Sequence, residues 1–295
     1  MSDSPFTGFP ESPMSEPPAF GKQPSGRFFL KMHGLRNHFV ITDAREESYR
    51  PDDQEIIRIC DPETGVGADQ LVVIEPPRDS GADIFMRLLN VDGREVEACG
   101  NATRCVAWLL MEEGHRDSVV IETLAGLLEC TRAGPLEVSC SMGRITMEWR
   151  DIPLAEERDT CHLDLSFGPL TDGAALAIGN PHVVFFVDDL DAIDIEALAP
   201  KIQQHPLFPN QVNVGVAQIV SESQMRLVVY ERGAGLTSAC GSGACVAAYA
   251  AQVRGLTDSK TMTIEMPAGA VGIEISDDGT AIMTGPVAFC FSGYV

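Results

Sequence analysis

Residues 98–110 read ACGNATRCVAWLL and residues 239–251 read ACGSGACVAAYAA. Each sets Ala-Cys-Gly and a small polar residue ahead of a run of good helix formers, which predicts an apolar helix opening just after a cysteine. The two cysteines, Cys99 and Cys240, stand 141 positions apart, and landmarks upstream repeat in the same order. Asn37-His38-Phe39-Val40 is echoed 143 positions later by Asn180-Pro181-His182-Val183, and Gln70 is answered by Asn213 at the same offset. Asn90 and Glu231 each precede their cysteine by nine residues. One such match among short Gly-rich segments is within reach of chance; four in register argue for an internal duplication.

Around these segments the chain alternates short apolar runs with turn residues. FFLKMHG, NHFVITDA, DQLVVIEP and DIFMRLLN are rich in β-branched or aromatic residues and bounded by Gly, Pro, Asn and Asp, as strands are. DDQEIIRICDP has helical spacing, and ATRCVAWLLMEEG closes at Gly114 as a helix does. SVVIETLAGLLECTR, LEVSCS and RITMEWR then alternate like a β-meander. The expected fold class is mixed α/β (α+β): two pseudosymmetric domains, each with a largely antiparallel sheet and one strongly apolar helix, and the site in the cleft between them. The boundaries expected are 27–146 and 147–281, with 282–295 returning to complete the first sheet. Residues 1–26 hold six of the 19 prolines and five serines, the composition of a mobile tail.

A formal charge of −22 excludes a nucleic-acid or anionic-membrane binder lacking a basic patch, and no run approaches the roughly 18 apolar residues of a membrane helix. The start of the chain lacks the basic and apolar regions of a signal peptide, so a cytoplasmic protein is expected. Nine cysteines, an odd number spread over 295 residues, suit free thiols better than a disulfide framework.

Cysteine is most often a small buried hydrophobe, which is the reading adopted for Cys60, Cys105, Cys130, Cys140, Cys161, Cys245 and Cys290. Cys99 and Cys240 differ because both stand at a helix start. There the unpaired N–H groups and the positive end of the helix dipole are expected to depress a thiol pKa, and they also hold anions. Two such segments facing one another would set a thiol on each side of a bound carboxylate-bearing molecule, the geometry of a racemase or epimerase. Zinc is disfavoured, since no Cys-x-x-Cys or Cys-x-x-His pair occurs, and neither Gly241-Ser242-Gly243 nor Gly233-Ala234-Gly235 completes a phosphate-binding motif. No metal and no cofactor is expected.

At these residues the chain resembles the diaminopimelate epimerase family over residues 31–295. The likeness rests on MHGLRNHFVITD, TGVGADQLVVIEP, EACGNATRC, GNPHVVFFVDD and VYERGAGLTSACGSGAC, in the family's order. The resemblance implies two domains, each a sheet wrapped around a central helix. It also implies epimerisation of LL-2,6-diaminopimelate to the meso form, with no pyridoxal phosphate, in a protein that tends to form homodimers. By position, Cys99 and Cys240 would be the two bases. Gly100, Asn101, Gly241 and Ser242 would hold the reacting carboxylate, and Glu231 the reacting ammonium. Asn37, Gln70, Asn90, Asn180, Asn213 and Arg232 would line the rest of the cleft, while His182 and Glu231 would tune the thiols.

Arg36, His38, Ala102, Leu236 and Val183 depart from the family pattern without removing a proposed catalytic group; they bear on substrate fit at the mouth of the cleft. The nearest rival within the fold is a proline racemase-like enzyme, which Asn101 argues against because that family carries His after Cys-Gly. A solute-binding protein and a redox-sensing dithiol protein are the rivals from other classes.

Overall fold

The computed structural model describes residues 26–97 and 99–295. The tail expected over 1–26 falls on residues 1–25, outside the described ones. The first half runs β1 (Phe28–Gly34), β2 (Asn37–Asp43), α1 (Asp53–Cys60), β3 (Gln70–Glu75), β4 (Ile84–Asn90), β5 (Glu95–Val96), α2 (Gly100–Gly114), β6 (Ser118–Thr123), β7 (Gly126–Gly134) and β8 (Glu137–Arg144). After β9 (Leu163–Phe167) the order repeats. It runs β10 (Leu170–Ala177), β11 (Pro181–Phe186), α3 (Ile195–Gln203), β12 (Asn213–Ser221), β13 (Gln224–Glu231), β14 (Gly235–Thr237), α4 (Gly241–Val253), β15 (Thr261–Met266), β16 (Gly269–Ile275) and β17 (Thr280–Pro286). A last strand, β18 (Ala288–Tyr294), ends the chain.

Strand pairing repeats with the order. In the first half β2–β3 and β4–β6 are parallel, and β1–β2, β3–β4, β6–β7 and β7–β8 are antiparallel. In the second, β11–β12 and β13–β15 are parallel, and β10–β11, β12–β13, β15–β16 and β16–β17 are antiparallel. The two sheets meet where the equivalent strands β8 and β17 pair antiparallel, the arrangement a local twofold produces.

β3 and β12 are covered on both faces, which explains their continuous apolar runs, whereas β7, β15 and β16 alternate buried with exposed residues. Along β3, Val72 and Ile74 pack inward with Val106 and Leu110 of α2, while Leu71 and Val73 pack outward with Ile56 and Ile59 of α1. In the second half Ala247 and Ala251 of α4 share a core with Leu227 and Ile264, and α3 covers Val214 and Val216 from outside. Among the described residues no helix is long and apolar enough to cross a membrane.

Two expectations are corrected. RITMEWR is not a strand: β8 ends at Arg144, Thr146 makes an isolated bridge to Ala177, and the chain turns at Trp149 as it crosses to the second half. The closing run IMTGPVAFCFSGYV is two strands, of which β17 stays with β16 and β8 and only β18 returns to β1.

Candidate active site

Cys99 and Cys240 are the N-cap residues of α2 and α4, in extended backbone conformation, and neither sulfur closes a cap hydrogen bond. At each helix start the thiol stands beside first-turn N–H groups, those of Asn101 and Ala102 at Cys99 and that of Gly243 at Cys240. The two helix starts share one neighbour, Met283 of β17. A Cβ on Gly100 would lie 2.6 Å from its Cε, and one on Gly241 would lie 3.0 Å from its Sδ. Met142 crowds the same Cβ position of Gly100, with Cε at 3.0 Å, from a bulge in the β8–β17 ladder that turns a side chain out of register. Glycine at both positions is thus a packing requirement as well as an open approach to the backbone.

Around Cys99, its Sγ and the Asn101 amide both donate to Asn37 Oδ1 at 3.4 Å. Asn37 is held by Asp69, whose carboxylate also accepts from the His38 N–H at 2.7 Å. Gln70 donates to Asn90 at 2.8 Å across β3–β4. Around Cys240, Sγ lies 3.5 Å from Ser242 Oγ, which is 3.1 Å from His182 Nε2. That nitrogen is also 3.1 Å from Asn180 Oδ1 and 3.4 Å from the Asn213 amide. Asn213 Oδ1 accepts from the Arg232 backbone N–H at 2.7 Å, and the exposed Arg232 guanidinium donates to Asn210 O. Glu231 accepts from Thr237 Oγ1 at 2.7 Å and lies close enough to act electrostatically on both thiols.

The structure thus gathers Cys99 with Asn37 and Asn101, and Cys240 with Ser242, His182, Asn180 and Asn213. Glu231 acts on both thiols, and Gln70 and Asn90 pair with each other. Sequence reasoning missed Asp69, Thr237 and the fully buried Arg104, which donates to Asn101 Oδ1 at 2.6 Å. Arg104 sits in plain view in the first cysteine segment, but its burial is not a property that a helical run displays.

The expected depression of the thiols is corrected. Burial pushes Cys99 above its ordinary value, against the N–H groups of Ala102 and Asn101 and the Arg104 guanidinium, with Glu231 adding to the rise. Cys240 is also pushed up, by burial first and by the Glu231 carboxylate next, against the Ser242 hydroxyl and the Gly243 N–H. The helix starts do act in the expected direction, but desolvation is the larger effect. His182 is pulled down to about 3 by burial, with Arg232 adding, and is neutral near pH 7.

The diaminopimelate epimerase profile matches residues 29–148 and 174–290, both halves of the repeat. The chain belongs to the diaminopimelate epimerase family. It is 48% identical over 267 residues to the diaminopimelate epimerase of Rhodospirillum centenum, covering 90% of this chain and 91% of that one. It is 49% identical over 269 residues to that of Acidiphilium cryptum, covering 91% and 96%. The fold is shared more widely. A hydroxyproline epimerase from Agrobacterium vitis superposes with a TM-score of 0.66 at 16% identity, covering 91% of this chain and 90% of that one. A phenazine biosynthesis protein of the PhzF family from Bacillus anthracis gives 0.65 at 17%, covering 91% and 98%.

Proposed function

We propose that this protein interconverts LL- and meso-2,6-diaminopimelate, with Cys99 and Cys240 as the two bases. The observation that carries the reading is the pair of uncapped, cysteine-headed helices meeting at one methionine, in a chain nearly half identical to enzymes of that name.

The chemistry asks for such a pair. The sulfur on one face takes the α-proton as the Cα–H bond breaks, and the opposite thiol gives its proton to the other face of the same carbon. The product leaves with that centre inverted and the two sulfurs with exchanged protonation states, ready for the reverse direction. The α-proton of an amino acid is a very weak acid, so a sulfur whose pKa is raised by burial is a stronger base once ionised than an ordinary thiolate. Charge developing on the carboxylate needs preorganised donors in a dry site, which the helix-start N–H groups at Gly100-Asn101 and Gly241-Ser242 suit. Glu231 suits the reacting ammonium. The amides of Asn37, Gln70, Asn90, Asn180 and Asn213 with Arg232 suit a distal end that is itself a zwitterion. His182, neutral and one hydrogen bond from Ser242, acts on Cys240 through that hydroxyl. The reading includes a cytosolic homodimer; nine free thiols suit a reducing compartment.

The test is solvent-deuterium incorporation at the α-carbon of LL-diaminopimelate and of L-proline, in reductant without added metal or cofactor. Wild type is expected to exchange and epimerise the first substrate only. Cys99→Ser and Cys240→Ser each lose about 10²-fold or more in epimerisation, the scale of a missing acid–base group. Exchange into proline instead would assign the chain to the racemase chemistry of the same fold. No exchange into either would leave a binding protein.

A further inference from the structure

Arg104 lies on α2, five residues beyond Cys99, and is 0% exposed. Its Nη2 donates to Asn101 Oδ1 at 2.6 Å and its Nη1 meets Met283 Sδ at 3.5 Å, while Nε has no partner among the described residues. The slot that holds the guanidinium is cut by two glycines. A Cβ on Gly34 would stand 3.1 Å from Nη2, and one on Gly285 would stand 3.1 Å from Cζ and from Nε. A guanidinium keeps its proton in proteins, and a buried charge without a counter-charge is costly. Among the described residues no carboxylate pairs with it.

The ionisable groups that act most strongly on Arg104 are thiols: Cys140 on β8, Cys105 and Cys99 on α2 and Cys245 on α4. Cys105 and Cys245 are pushed up by burial, Cys245 to about 12, and Cys140 lies 3.1 Å from the sulfur of Cys130. Cys99 alone among the four stands at a helix start, where the N–H groups of Ala102 and Asn101 favour its anion. It is also linked to the guanidinium by contacts, because Arg104 holds Asn101, and Asn101 shares Asn37 Oδ1 with the Cys99 thiol.

The duplication is broken at this point. The offset of 141 that relates Cys99 to Cys240 relates Arg104 to Cys245 and Asn90 to Glu231. One thiol therefore has a buried cation on its own helix. The other has a carboxylate from β13, which also reaches Cys99, and no matching cation on α4.

We propose that Arg104 is a positioning residue whose buried charge makes Cys99 the thiol that ionises first, leaving the proton on Cys240. The proposal rests on the reading of these two thiols as the acid–base pair, and it supplies the order that a symmetric pair would lack.

The test is alkylation of the full-length, reduced protein by iodoacetamide across pH, with Cys99 and Cys240 followed separately by peptide mass spectrometry. Wild-type Cys99 reacts at lower pH than Cys240. In Arg104→Met the Cys99 rate near pH 7.5 falls about tenfold, the change in thiolate fraction for one pKa unit, while Cys240 changes less than twofold. Arg104→Lys, which keeps the charge, restores most of the Cys99 rate. Equal rates at Cys99 in wild type and Arg104→Met, or a matched fall at both cysteines that lysine does not rescue, would overturn the proposal. So would wild-type Cys240 reacting at lower pH than Cys99, a result that needs no variant to fold. The readout is independent of turnover: correct ordering without deuterium exchange would sink only the epimerase reading, and exchange without the ordering only this one.

Discussion

Phe39 and His182 occupy equivalent places in the two halves, each opposite the first residue of the neighbouring parallel strand, Gln70 or Asn213. The apolar ring packs into the first core, whereas the imidazole gathers Asn180, Asn213 and Ser242 around Nε2 and leaves Nδ1 without a partner among the described residues. The arrangement is cheapest with the proton on Nε2, donated to Asn180 Oδ1 or Ser242 Oγ, so that the orphan is a lone pair and not a buried N–H. A folded pKa of about 3 against an ordinary 6.5 means that the unfolded chain binds a proton in that interval which the native state does not. Stability is therefore lost as pH falls from about 6.5 toward 3, with a limiting slope of about 1.4 kcal/mol per pH unit from this group. His182→Gln removes that contribution, so urea midpoints at pH 7 and pH 4.5 should lie closer together in the variant than in wild type; equal spacing would refute the assignment. At this scale the sequence displayed the thiols and most of their polar neighbours, because motif residues are visible as letters. Burial is not, so the direction of the thiol shifts, the neutrality of His182 and the isolation of Arg104 emerged only from packing.

Helices α1 to α4 form two pairs that begin differently. α1 and α3 are capped by Asp52 and Asp194, whose carboxylates accept from Glu55 N at 2.8 Å and Ala197 N at 3.0 Å. α2 and α4 are headed by cysteines that close no cap bond. The outer pair uses its first turn for stability, and the central pair leaves its first turn to an anion, taking its stability from burial along most of the helix. Asp52→Ala and Asp194→Ala should each cost about 1 kcal/mol in chemical denaturation. Both should retain epimerase activity, since neither cap touches the thiols; a selective loss of activity at unchanged stability would contradict that division. The helices α1 and α2 were legible from spacing and from the closing Gly114, where His115 takes the left-handed conformation that ends the turn. RITMEWR misled because its apolar alternation, which reads as a strand, serves a crossing segment whose Ile145 N–H bonds to Gly279 O and whose Thr146 bridges to Ala177.

Across the whole molecule the duplication was legible at offsets of 141 to 143, but the way the halves are tied was not. A strand's alternation shows which side chains turn inward and says nothing of which sheet edge it joins. β9, which follows the first repeat, pairs with β10 of the second, and β18, which follows the second, pairs with β1 of the first. Each half is thus edged by a strand that succeeds the other, and the β8–β17 ladder joins them at the centre. The β18 tie also bears on the site, because β1 carries Gly34 against Arg104 and leads through a turn with two positive-φ residues, Leu35 and Arg36, into Asn37. Ending the chain after Val287 would free the β1 edge and remove the edge-to-face contacts of Phe28 with Tyr294 at 5.2 Å and Phe29 with Phe291 at 6.0 Å. It would also uncover the buried Phe29, which packs with α1. With a few kcal/mol at stake in a chain of this size, the calorimetric midpoint should fall by about 10 °C. Epimerase activity should fall with it even at temperatures where the shortened chain stays folded, because the Asn37 turn loses its support. An unchanged midpoint would mean that β18 only decorates the first sheet, and lost stability with full activity would uncouple the β1 edge from the thiol it helps to position.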